Sequence, residues 1–119
     1  MEDTKSRPRP PEAGKVRVVA QEKLTNVPGK TLTVQVVDMP PRGKVPEHHH
    51  GGPTVVYILS GAFRLQLEGG REGVYRAGET FFEPAGAVHA LTQNISETEP
   101  AQLMLIHVAD DGNELVVIH

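Results

Sequence analysis

The sequence predicts an all-β domain, and three observations carry that reading. Turn signals recur every 8–12 residues. The segments between them are rich in β-branched residues and alternate apolar with polar. The 12 glycines and 10 prolines among 119 residues exceed the ordinary combined share of about 12% and leave little room for long helices. No stretch of ten or more residues shows a helical stripe with caps.

In chain order, residues 1–14 are polar and proline-rich and cannot bury enough apolar surface to order themselves, so a disordered tail is expected there. A single domain follows over residues 15–119. Lys15-Val16-Arg17-Val18-Val19 fits a strand through its three valines in four residues. Asn26-Val27-Pro28-Gly29 reads as a type II turn, with proline and glycine in the order that turn requires. Thr31 to Met39 alternates at Leu32, Val34 and Val36 and is a clear strand. Pro40-Pro41-Arg42-Gly43 ends it. A short strand is expected from Val45 to His50, then a turn at Gly51-Gly52-Pro53 and a strand from Thr54 to Leu59. Phe63 to Glu68 and Gly73 to Arg76 form a hairpin about Gly69-Gly70. Thr80 to Phe82, Val88 to Thr92, Gln102 to Val108 and Leu115 to Ile118 complete about ten strands, the pattern of a sandwich or barrel.

Composition narrows the function. There is no cysteine, so neither disulfides nor thiolate ligands exist, and any metal must be held by nitrogen and oxygen. The net charge of −3, with acids and bases interspersed, lacks the basic face that nucleic acid demands. No apolar run approaches the roughly 20 residues of a membrane span, and residues 1–14 lack the apolar core of a signal peptide. A cytoplasmic protein is the expectation.

Half of the six histidines stand at His48-His49-His50. In a strand, residues i and i+2 share a face, so His48 and His50 point one way and His49 and Glu47 the other. Imidazoles so spaced suit one ion at about 2.0–2.1 Å, given a third ligand from elsewhere, for which His89 is the best candidate. The alternative is a strand that carries histidine on a polar surface or in a metal-free pocket.

Here the chain resembles the cupin superfamily. Its first motif is matched by His48-x-His50 and Gly61, with Gly43 one residue closer to the histidines than usual. Its second is matched by Gly78, Pro84, Gly86 and His89, with Asn94 one residue late and Gln93 in its place. The resemblance implies a double-stranded β-helix, or jelly-roll barrel, with His48, His50 and His89 as metal ligands inside the wide mouth. The family's glutamate ligand falls on Thr54, whose neutral hydroxyl does not replace a carboxylate. Three imidazoles then leave coordination positions open, an arrangement that some cupin dioxygenases use with iron and that also resembles a catalytic zinc site. The ion is one divalent transition metal (Fe, Mn, Ni, Cu or Zn). Thr54, Val56 and Ile58 share parity, Leu103 with Leu105 or Met104 with Ile106 forms another wall, and His107 is a further pocket candidate. That pocket suits a small chelating organic molecule.

Two functions compete at this point: a metal-dependent enzyme with dioxygenase-like chemistry as the first expectation, and a non-catalytic module that binds or senses a small ligand. Glu83 and Tyr57 are the only candidates for proton carriers, the former placed before a turn and the latter opposite in parity to Thr54. Pairing into homodimers is expected of so small a barrel.

Overall fold

Alternation builds this molecule. The computed structural model describes residues 14–113 and 115–118, and among them are eleven strands and no helix. In chain order these are β1 (Lys15–Lys23), β2 (Lys30–Met39), β3 (Lys44–Val45), β4 (His48–His50), β5 (Thr54–Ser60), β6 (Ala62–Leu67), β7 (Gly73–Arg76), β8 (Thr80–Glu83), β9 (Val88–Asn94), β10 (Ala101–Asp110) and β11 (Val116–Ile118). The expected tail lies outside the described residues except for Gly14, as does His119. The expected strand from Val45 to His50 is split into β3 and β4. Pro46 stands at the break and has no N–H to give a ladder.

Two antiparallel sheets face each other. One runs β1-β2-β10-β5-β8, the other β11-β4-β9-β6-β7 with β3 paired to β9. This is the double-stranded β-helix that the motifs imply. Strand β10 shows the logic: Ala101, Leu103, Leu105, His107 and Ala109 are buried, and the residues between them are half-buried. Of the two walls open in the sequence, Leu103 with Leu105 is the inner one. They pack with Val37, Met39, Val56, Ile58, Phe63 and Leu65 into the apolar core.

The inner surface of the first sheet is not apolar throughout. Strand register sets Thr33 opposite His107, His107 opposite Thr54, and Thr54 opposite Glu83. All four are at most 1% exposed, so a polar row crosses β2, β10, β5 and β8 inside the barrel. Burying four polar side chains is costly unless each finds a partner. How each one does so separates structure from site.

One strand departs from this regularity. The whole of β1 is exposed, including Val16, Val18 and Val19, and it pairs only with β2 at the edge of its sheet.

Candidate metal centre

The second sheet brings the three predicted histidines together. Strand β4 lies between β11 and β9, and His48 is directly opposite His89. His48, His50 and His89 are buried at 4%, 5% and 2% exposure, whereas His49, on the other face, is half-buried. One nitrogen from each of the three buried rings falls within 4.8 Å of the others, close enough for a single ion to be gripped by all. The turn at Pro84-Ala85-Gly86, closed by the Ala87 N–H on the Pro84 carbonyl at 3.1 Å, aims His89 inward; Gly86 takes φ +81° there.

A β-bulge adds a residue that strict alternation does not place. Leu67 pairs with His89 but Gln66 with Leu91, so Ala90 is skipped and the parity of β9 resets. His89 and Thr92, an odd number of residues apart, therefore both face the interior. The Thr92 hydroxyl lies 3.0 Å from His89 Nε2.

Backbone carbonyls decide the tautomers of the other two. His48 Nδ1 is 2.8 Å from the Pro46 carbonyl and His50 Nδ1 is 3.1 Å from that of Leu115. A carbonyl only accepts, so each Nδ1 carries the proton and each Nε2 presents a bare lone pair. This is the arrangement that orients and strengthens metal-binding imidazole. Burial pushes His48 down to about 4 against the pull of the Pro46 carbonyl, and it pushes His50 down against the attraction of Glu83. Both rings are neutral at pH 7 and ready to ligate.

Glu83 closes the group. It is 1% exposed, with Oε2 at 2.7 Å from His89 Nδ1 and Oε1 at 3.4 Å from His50 Nε2. The His89 contact is short enough to hold the carboxylate to the imidazole, although neither contact is well aligned. Both Glu83 oxygens and His89 Nδ1 are the buried side-chain polar atoms left without a well-aligned hydrogen bond among the described residues. Burial pushes the carboxyl up, but contact with His89 and the charges of His89, His50 and His48 together outweigh it, and Glu83 stays below its ordinary value. The Glu83 carboxyl and the histidine nitrogens therefore share one buried space. Orphaned acceptors so arranged are what a cation site requires, and the donor set fits a divalent transition metal.

The three histidines, but not Glu83, border a cavity of about 540 Å³, within the range of small-molecule sites. His48, His50, His89, Gln35 and Thr92 supply its polar wall; Val37, Val56, Leu103, Leu105, Leu115 and Ile118 supply much of the rest.

Of the four residues expected in the pocket, Val56 lines it and Thr54, Ile58 and His107 do not. Ile58 is 0% exposed and packed in the apolar core. His107 is held on both sides, with Nε2 2.7 Å from Gln35 Oε1 and Nδ1 2.9 Å from Thr54 Oγ1. Burial pushes it down to about 4, so it is neutral: Nε2–H donates to the amide oxygen, and Nδ1 shares the Thr54 hydroxyl proton with the Gly52 carbonyl, 3.1 Å from Oγ1. Thr54 is thereby turned toward His107, which leaves Glu83 as the carboxylate beside the histidines. Tyr57 is half-buried on the opposite face of β5.

Comparison with known proteins agrees with this geometry. A family model described as a cupin domain matches residues 35–107, which include all four groups of the candidate centre. No curated protein sequence matched the chain. Among solved structures, the DMSP lyase DddQ from Ruegeria pomeroyi is 25% identical with a TM-score of 0.63, over 73% of this chain and 42% of that one. TT1209 from Thermus thermophilus is 27% identical with a TM-score of 0.66, over 92% and 96%. An oxalate oxidase in complex with the substrate analogue glycolate is 21% identical with a TM-score of 0.68, over 99% and 62%, a likeness of fold alone. The chain thus spans less than half of the lyase and under two thirds of the oxidase. With the family model covering more than half of its residues, the chain belongs to the cupin family.

Proposed function

We propose that this protein is a metal-dependent cupin enzyme in which His48, His50 and His89 hold one divalent transition-metal ion and a small chelating organic substrate occupies the adjoining apolar cavity. The observation that carries the reading is the trio of buried imidazoles within 4.8 Å, two of them with their proton fixed on Nδ1 by a carbonyl. Bound there, the ion supplies a Lewis acid, or a redox centre if it is iron, manganese or copper. The chain's own residues do the rest. Pro46 and Leu115 orient the rings, Thr92 positions His89, and the valine and leucine walls exclude water from a substrate's apolar body. Oxygenation is the reaction class assigned first. The likeness to a DMSP lyase, at 25% identity, makes lyase chemistry the class to test next.

A second reading draws on the cavity's lining. Among the described residues, the histidines are its only titratable members, with no Lys, Arg, Asp or Glu on the wall. That favours a module which binds or senses a small ligand without turning it over.

Elemental analysis of untagged protein tests the common step. The wild type is expected to carry one transition-metal ion per chain, and His50→Ala and His89→Ala none; equal metal in all three would overturn the site. Oxygen uptake by iron-loaded protein with small diketones or phenols then separates an oxygenase from a lyase or a binder. The reading includes a cytoplasmic location and a homodimer. Support for the dimer is β1, an edge strand exposed throughout and carrying Val16, Val18 and Val19, which a second copy would cover; light scattering checks it.

A further inference from the structure

Gln35 is a polar residue of the cavity wall that the histidine centre does not use. It is 8% exposed and stands on the inner face of β2, between the buried Thr33 and Val37. Register sets it opposite Leu105, so His107 is its diagonal neighbour on β10. Diagonal neighbours lie about 7–8 Å apart, within reach of a long side chain. The Gln35 amide oxygen covers that span and accepts from His107 Nε2 at 2.7 Å.

His107 is anchored in turn. Its Nδ1 lies 2.9 Å from Thr54 Oγ1, and that oxygen lies 3.1 Å from the Gly52 carbonyl. These contacts fix the Gln35 amide from its oxygen end. The NH2 end has no hydrogen-bond partner among the described residues, and Gln35 borders the cavity, so the amide N–H is what it offers there. His107 also packs beside His50, with ring centroids 4.9 Å apart, which keeps the amide close to the candidate centre.

The other polar groups of the wall are already engaged. The Pro46 and Leu115 carbonyls hold the Nδ1 protons of His48 and His50, and the Thr92 hydroxyl contacts His89. A donor held in an otherwise apolar wall is unfavourable until an occupant brings an acceptor.

We propose that Gln35 is the specificity-determining residue of the cavity, its amide N–H selecting substrates that carry a carbonyl oxygen on an apolar body. The proposal rests on the reading of this cavity as the substrate site. A neutral carbonyl suits it better than a carboxylate, which would leave water and gain only an amide from this wall.

The probes are acetophenone and α-methylstyrene, alike in shape, of which the first alone offers a carbonyl oxygen. Each is titrated by NMR into the full-length, nitrogen-15-labelled chain in the presence of zinc(II), as wild type and as Gln35→Met. The preference for ketone over hydrocarbon is expected to be about tenfold larger in wild type than in Gln35→Met, the usual worth of one hydrogen bond. Equal preference in the two proteins would overturn the proposal and leave the histidine centre standing. A wild type that binds neither probe would overturn the proposal together with the cavity reading. Zinc content of the same samples judges the metal separately: a chain without zinc that keeps the ketone preference upholds Gln35 and overturns the metal-binding reading. Should Gln35→Met fail to fold, the side-chain amide resonances of Gln35 in wild type decide. A shift with acetophenone alone supports the hydrogen bond, and equal shifts with both probes overturn it.

Discussion

His50 and His107 lie with ring centroids 4.9 Å apart, are both buried, and both stay neutral at pH 7. Their surroundings divide them. Each ring nitrogen of His107 has a partner, one on Gln35 and one on Thr54, and the ring is sealed behind the cavity wall. The His50 side has Nε2 bare and Glu83 beside it with both oxygens unmatched, at the edge of a cavity. A buried histidine with complete hydrogen bonding is a structural member of the sheet. One that shares its space with orphaned acceptors marks a place where something is meant to bind. Burial alone, which is nearly equal for the two, does not tell them apart.

That contrast can be broken in several ways, the strongest through pH. His48 and His107 titrate at about 4 in the folded chain and near 6.5 when unfolded. Between those values the unfolded chain binds protons that the folded one refuses, so stability is full above about 6.5 and is lost as pH falls. By pH 4 each ring is expected to cost roughly 3 kcal/mol in metal-free protein. Denaturant melts from pH 7 to 4 measure this, and a flat profile would show that burial does not hold the rings neutral.

Next in size is His107→Ala. It strips partners from Gln35 and Thr54 and opens a cavity, for an expected loss of about 3–4 kcal/mol with metal content unchanged. If it instead empties the centre as His50→Ala does, the division between structural and binding histidines fails.

Thr54→Val is the mildest. It keeps the shape but removes the hydroxyl that His107 Nδ1 accepts from, for a loss of about 1–2 kcal/mol by thermal or denaturant melting. Metal affinity should stay within about twofold. A larger fall would return Thr54 to the site.

The fold was largely legible because its signals are local. Turn residues and alternation do not depend on what packs against them, so Asn26-Val27-Pro28-Gly29 appears as a turn with φ +85° at Gly29, and Gly73–Arg76 appears as a strand. The clustering of the three histidines was legible for a similar reason, since His48 and His50 obey a two-residue repeat and His89 sits at a fixed offset from its turn. What stayed hidden depends on the ladder. Parity tells which face a residue takes, not how deep along the barrel it lies; Val56 and Ile58 share a face, yet only Val56 borders the cavity. Thr92 was concealed by the bulge at Ala90. Glu83 had a usable signal: it shares parity with Phe81, and Phe81 packs against the core while Phe82 is 57% exposed. Its place before Pro84 masked that cue.

The pairing of Thr54 with Glu83 has a consequence for how such barrels are read from their sequences. Positions distant in the chain but adjacent across a ladder are nearly interchangeable as sources of one functional group. A motif written along the chain reads Thr54 as a missing acid and takes no account of the acid that stands one strand away at Glu83.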